Sequence, residues 1–195
     1  MNICFTVFSL ILWLLCNQAE PLGLHWKNPS FEGTPGKVSN ALFWPSCGEG
    51  STPDLLPGVF DVELSPDDGA SYVGLIVRSN GQKEDIFQEL SSPFEKGQCY
   101  HFSMSLARSQ KYLDHNTPVG LKIWLGTGPC LRSQLIHHEP IVENVNWKKV
   151  EVQFTAERKM RYVLFEPSSA PGLFFDYPGN VLLDNLSAVE SCNRS

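Results

Sequence analysis

One carboxylate in this chain stands among leucines. Between Asn180 and Glu190 the run is strongly apolar, and the alternation of a strand puts Leu182, Asp184 and Leu186 on one face and Val181, Leu183 and Val189 on the other. An unpaired carboxylate there costs several kcal/mol, so Asp184 requires backbone amides, a Lys or Arg, or a metal ion. A partner stretch lies near the start, in Asn28-Pro29-Ser30-Phe31-Glu32.

Other chemistry-bearing residues are scattered. His137-His138-Glu139 is the one local cluster that suggests metal binding, but adjacent residues on a strand face opposite ways, which makes both histidines surface or loop-edge residues. Asp114-His115-Asn116 sits in a polar connection and reads as a solvated turn. No Gly-rich phosphate loop, Gly-x-Ser-x-Gly elbow or His-Glu-x-x-His helix occurs. A carboxylate pair for glycoside hydrolysis is defined by spacing in space, so an enzyme is kept only as a distant third reading.

Aromatic residues carry more information, because flat rings stack on the apolar faces of sugar rings while neighbouring polar groups take the hydroxyls. Trp124 falls opposite Leu121, Ile123 and Leu125 and is expected to face away from the core, either under a loop or as a ligand platform. Trp44, in a Pro- and Gly-rich connection, is a buried plug or a second platform, and Trp147, before a strand, reads as structural. Arg78, at a strand end, could donate to a ligand. The connection from Pro167 to Gly179 holds Leu173, Phe174, Phe175 and Tyr177 with almost no charge, and either caps one end of the fold or offers a contact surface. The candidate ligand contacts are therefore Trp124, Trp44, Arg78 and Tyr177.

The elements that must position these residues are strands. Tyr100, Phe102, Met104 and Leu106 alternate with small or polar residues, as do Val150, Val152 and Phe154, and Leu121, Ile123 and Leu125. Less regular runs cover Leu24 to Phe31, Ser71 to Arg78, Asp85 to Leu90, Gln134 to His138 and Arg161 to Phe165. With the Asn180 run this makes about nine strands, separated by turn chemistry such as Pro66-Asp67-Asp68-Gly69 and Asn80-Gly81 and without a long amphipathic helix. An all-β, two-sheet antiparallel sandwich follows.

Phe5 to Leu15 is an apolar run too short to span a bilayer and right for a signal-peptide core. Residues 1–19 are read as a leader, with lipid anchoring through Cys16 as the lesser alternative, and 20–195 as one domain. The protein is expected to be secreted or displayed at the cell surface and not to span a membrane. A net charge of −6 argues against nucleic acid or an anionic membrane as partner. Sequons at Asn185 and Asn193 would matter only in a eukaryotic secretory pathway. Oligomeric state is not encoded in any pattern of the sequence.

The pairing of Asn28-Pro29-Ser30-Phe31-Glu32 with Leu182-Leu183-Asp184-Asn185 resembles the galactose-binding-like jelly rolls, a β-sandwich family that includes many carbohydrate-binding modules. Further stretches are similar to a secreted subgroup of Bacteroidetes surface proteins: Phe43-Trp44-Pro45-Ser46-Cys47-Gly48, Thr52-Pro53-Asp54, Tyr72-Val73-Gly74-Leu75, Leu90-Ser91-Ser92-Pro93, Gly97-Gln98-Cys99-Tyr100 and Asn146-Trp147-Lys148-Lys149. The resemblance implies a jelly roll and a non-catalytic binding protein whose partner is a glycan. The alternative is a structural or adhesive protein that contacts another cell-surface protein. It also implies a structural calcium ion held by Glu32 and Asp184, with hydrogen bonding of Asp184 by amides or a cation as the alternative. Within that topology the strand from Cys99 runs beside the last strand, which pairs Cys99 with Cys192. Cys47 and Cys130 are left as a second pair or as free thiols.

Overall fold

The computed structural model describes residues 24–170 and 177–192. The expected leader with Cys16, the residues Leu173, Phe174 and Phe175, and the sequon at Asn193 lie outside them. No helix occurs among the described residues, and no helix there is long and apolar enough to cross a membrane. Eleven strands form instead: β1 (Asp54–Leu56), β2 (Tyr72–Val77), β3 (Ile86–Phe94), β4 (Cys99–Ala107), β5 (Thr117–Pro118), β6 (Gly120–Gly126), β7 (Gln134–Glu139), β8 (Lys148–Thr155), β9 (Met160–Ser168), β10 (Gly179–Asp184) and β11 (Glu190–Ser191). The three additional to the sequence reading, β1, β5 and β11, are two or three residues long, too short to show a period.

The larger sheet runs β1-β2-β10-β4-β11, with β8 along the other edge of β4 and β5 beside β10; the smaller runs β3-β9-β6-β7. Pairing is antiparallel throughout except for the short β5–β10 contact. The expected alternation is realised. Val73 and Leu75 of β2, Phe102, Met104 and Leu106 of β4, Leu121, Ile123 and Leu125 of β6 and Val163 and Phe165 of β9 meet in one core between the sheets. Burial of each such side chain contributes about 1.5–3 kcal/mol. A smaller cluster of Leu56, Tyr72, Ile76, Tyr112 and Leu182 forms on the outer face of the large sheet. Gly74 makes this possible, because a Cβ there would sit 2.7 Å from the Tyr112 hydroxyl, which donates to Asp54 Oδ2 at 2.7 Å.

Three expectations are corrected. Residues 24–31 form no strand, because Asn28 and Phe31 take positive φ and the Asn28 amide closes a turn, accepting from the Glu32 amide at 2.7 Å and donating to the Glu32 carbonyl at 2.9 Å. This coiled segment drives Trp26 and Phe31 into one end of the core. The last strand stops at Asp184, and Asn185 at φ 51° resets the alternation, so Leu182 and Asp184 do share the outer face whereas Leu186 joins the inner core. The Asp114–Asn116 turn is more than solvated: Asn180, fully buried, donates to the Ser109 and His115 carbonyls at 2.9 and 2.7 Å and latches it to β10.

Cys99 and Cys192 are bonded as the topology implied, with Cα atoms 5.3 Å apart, and Cys47 and Cys130 form a second disulfide, Cα atoms 5.6 Å apart.

Asp184 has no exposed surface. Its Oδ2 accepts from the amides of Asp67 and Asp68 at 2.8 and 3.1 Å, and its Oδ1 from the Asn185 amide at 2.7 Å. Glu32 accepts from the Ala70 amide at 3.0 Å and the Ser71 amide at 3.4 Å. The two carboxylates therefore grip opposite ends of one turn, residues 67–71. Calcium takes six to eight oxygen ligands. Here the carboxylate oxygens face N–H donors, whose positive ends repel a cation. The arrangement as it stands does not fit a calcium ion. Melting temperatures in calcium and in chelator are accordingly expected to coincide; a rise with calcium would establish the ion.

Burial pushes the Asp184 carboxyl up to about 7, against the pull of the three amides. Because the folded value lies above the unfolded 3.8, the contribution to stability is complete below that value and is lost as pH rises through about 7. Glu84, pushed up to about 8 by its own burial, adds a slope of the same sign. Urea melts across this range should show stability falling with rising pH, and Asp184→Asn should flatten that slope, its destabilisation of about 1–3 kcal/mol for the lost acceptor being seen at the acid end and shrinking as pH rises. An unchanged slope in the variant would show that Asp184 does not titrate in this range.

Candidate functional site

Outward positions of the small sheet follow from register. Ile86, Phe165 and Ile123 pair across β3, β9 and β6 and point into the core, so the next row, Phe87, Leu164, Trp124 and Leu135, points out. Four apolar side chains thus cross the sheet side by side. Leu164 is 2% exposed although it faces outward, which requires its neighbours to close over it. Tyr162, paired with Glu89 and Gly126, stands in the adjoining row with its ring 6.4 Å from that of Phe87.

Beyond Phe87 the strip deepens into a cleft of about 320 Å³ lined by Lys27, Phe43, Pro45, Phe87, Pro129 and Tyr162. Gln88, 2% exposed, builds its far wall by accepting from the Lys27 amide and donating to the Lys27 carbonyl, both at 2.7 Å. The Lys27 ammonium lies 5.8 Å from the Phe43 ring centre.

The polar side of the strip is a linked series of charges. Trp124 Nε1 donates to Glu166 at 3.1 Å; Arg132 donates to the same carboxylate at 3.0 Å and to Asp85 at 3.1 Å. Asp85 also accepts from the Cys47 amide at 2.8 Å and the Ser51 hydroxyl at 3.0 Å, while its burial holds its carboxyl above the ordinary range. The Cys47–Cys130 disulfide closes the same corner. Arg132 is thereby fixed in a fork, and both carboxylates beside it are engaged as acceptors. What such a face can do is stack on flat apolar surfaces and offer hydrogen bonds from a rigid rim.

Of the residues singled out from the sequence, Trp124 alone belongs to this face. Trp44 is corrected to a core residue: 1% exposed, it packs on Phe31, Trp26 and Phe165 at ring distances of 4.9, 5.9 and 5.7 Å and donates to the Asn28 carbonyl. Arg78 is likewise structural, donating to Glu84 at 2.7 Å, Thr52 at 2.8 Å and the Gly50 carbonyl at 2.7 Å. The Tyr177 hydroxyl donates to the Pro118 carbonyl at 2.9 Å, and its ring packs against the core. His137 and His138 face opposite ways as expected, but only His138 is a surface residue: it pairs with outward Lys122, whereas His137 pairs with inward Ile123 and its side chain is 20% exposed; burial lowers both imidazoles. Phe87, Tyr162, Leu135 and Arg132 were missed. The alternation of β3 and β9 held the signal for the first two.

No family model matches the chain, and no curated protein matches it in sequence. Among solved structures the chain is similar to the CBM22-1 xylan-binding domain of Paenibacillus barcinonensis Xyn10C, at 15% identity and a TM-score of 0.53 over 85% of this chain and 93% of that one. It is similar to the K1 cleaved adhesin domain of Lys-gingipain from Porphyromonas gingivalis W83, at 11% identity and 0.52 over 84% and 96%. The Stig cyclase Fisc from Fischerella sp. TAU gives 12% and 0.55 over 88% and 98%. A binding domain, an adhesin domain and a cyclase share this architecture, so the likeness speaks for fold and leaves function to the site. The chain folds as a two-sheet antiparallel jelly-roll β-sandwich.

Proposed function

We propose that the protein is an exported, non-catalytic binding module that holds a carbohydrate chain along the outer face of its small sheet. The observation that carries this reading is the cross-strand row Phe87, Leu164, Trp124 and Leu135 with Tyr162 beside it, bordered by the fixed Arg132–Glu166 pair. Two rings of that row, Phe87 and Trp124, with Tyr162 beside them, offer flat apolar faces to successive sugars, and the charged border supplies hydroxyl partners. Two disulfides support an oxidising, extracellular setting.

Glycan-array screening of the intact protein should give at least one oligosaccharide ligand. Trp124→Ala and Tyr162→Ala should each weaken it about tenfold, the loss of about 1.4 kcal/mol from one stacking partner, without lowering the melting temperature by more than a few degrees. A blank array, or wild-type affinity in both variants, would remove the assignment.

A second reading, adhesion to another protein, is favoured by one observation: Val38, Leu42 and Phe43 are 67, 65 and 51% exposed on the connection that leads into the cleft. Concentration-dependent self-association in sedimentation experiments that disappears in Val38→Ser and Leu42→Ser would support it. A monomer at all concentrations, together with a positive array, would leave the glycan reading alone.

A further inference from the structure

The outer face of the large sheet is treated differently along its width. Toward β1 and β2 it is covered by the Tyr72–Tyr112 cluster. Toward β4 and β8 it is open, and a pocket of about 340 Å³ lies there, lined by Asp67, Ser103, Ser105, Trp147, Lys149, Asn185 and Ser187. That volume is at the small end of ligand pockets, which run from about 300 Å³ upward.

Each wall has an identifiable cause. Ser103 and Ser105, 3 and 5% exposed, form a low floor on β4, because inward Phe102, Met104 and Leu106 leave their small neighbours outward. Lys149 stands opposite Ser105 on β8, beside Trp147. Trp147 is held upright by its Nε1–H donating to the Ser65 carbonyl at 2.7 Å and by the Tyr72 ring, 5.0 Å away and nearly perpendicular. The opposite wall, Asn185 and Ser187, exists because the chain leaves β10 at the positive φ of Asn185. Ser187 Oγ is anchored by the Ser103 amide at 2.8 Å. The Asp67 Oδ2 accepts from Ser105 and Asn185 at 2.6 and 2.9 Å, while its Oδ1 takes no hydrogen bond among the described residues.

We propose that this pocket is a second binding site, independent of the aromatic strip, for one neutral polyhydroxylated ring. Chemistry selects the class. One large apolar wall, Trp147, faces a set of short, rigid polar groups that mixes donors and acceptors: three hydroxyls, an amide, a carboxylate with a vacant oxygen, and an ammonium. The Lys149 ammonium is paired with Glu151 of the same strand at 3.4 Å, which leaves no unpaired cation to draw an anion, whereas a ring with an apolar face and adjacent hydroxyls satisfies both kinds of wall. The dimensions admit one ring rather than a chain, in contrast to the strip. The proposal stands whether or not the strip binds glycans.

The test is an amide-resolved NMR titration of the intact protein with free galactose, glucose and mannose at millimolar concentrations. At least one hexose should shift the amides of Ser103, Ser105, Lys149 and Asn185, saturably and with millimolar affinity. Ser103→Leu, which fills the floor, should weaken that response at least about tenfold, and Trp124→Ala should leave it intact. Lys149→Ala, at an exposed side chain, supplies a second loss variant should Ser103→Leu fail to fold. No shift with any hexose, shifts confined to Phe87, Trp124 and Tyr162, or an undiminished response in the pocket variants would each overturn the proposal.

Discussion

A buried carboxylate must have its oxygens filled, and in this protein that requirement organises the connections. Asp184, without exposed surface, takes amides from Asp67, Asp68 and Asn185, which places the 67–71 turn over β10. Glu32 then grips the far end of the same turn, so the first coiled segment and the last long strand are joined through it. The device recurs. Asn28 closes the entry turn, Asn180 latches the 109–116 connection, Asp54 receives Val38 and Tyr112, and Gln88 holds the segment that carries Lys27 and Phe43. Each is a polar side chain that replaces ladder hydrogen bonds for backbone that is not in a sheet.

Rigid connections decide what each sheet face becomes. On the large sheet the 57–65 and 108–116 connections fold over β1 and β2 and create a second small core, with Gly74 giving the space Tyr112 needs. They stop short of β4 and β8, and the same 67–71 turn that satisfies Asp184 brings the Asp67 side chain to the edge of the open pocket. On the small sheet the Cys47–Cys130 bond and the Arg132 fork to Asp85 and Glu166 pin the corner beside Trp124. Partly exposed ion pairs of this kind contribute little to stability, about 0.2–1 kcal/mol each. Their consequence here is geometric, since they limit the positions open to the rim of the aromatic strip.

The two faces consequently differ in chemistry. The strip offers apolar length with a charged border; the pocket offers polar depth with one ring as a wall. A sandwich supports both because its core is complete without either, the inner faces of β2, β4, β6 and β9 having buried their apolar residues against one another. The outward positions are free to differ.

The local alternation of Tyr100 to Ala107, Leu121 to Leu125 and Val150 to Phe154 determined three of the long strands, their buried faces and, with the resemblance, a two-sheet jelly roll with a Cys99–Cys192 bond. It also showed that Trp124 looks outward and that Asp184 needs partners. Other features were not legible, because they depend on contacts between residues far apart in the chain. Two of the three donors to Asp184 come from residues more than a hundred positions away. Trp44 and Arg78 were ambiguous because composition around them suits a core plug or an exposed contact equally, and only the approach of Phe31, Phe165 and Glu84 decides. Residues 24–31 read as a strand from their apolar content, but the Asn28 side chain gave the backbone a competing set of hydrogen bonds. The outward row lay furthest from the sequence: Phe87, Leu164, Trp124 and Leu135 belong to four different strands, and their alignment is a matter of register, which follows from the simultaneous packing of both sheets and is written in no single stretch of sequence.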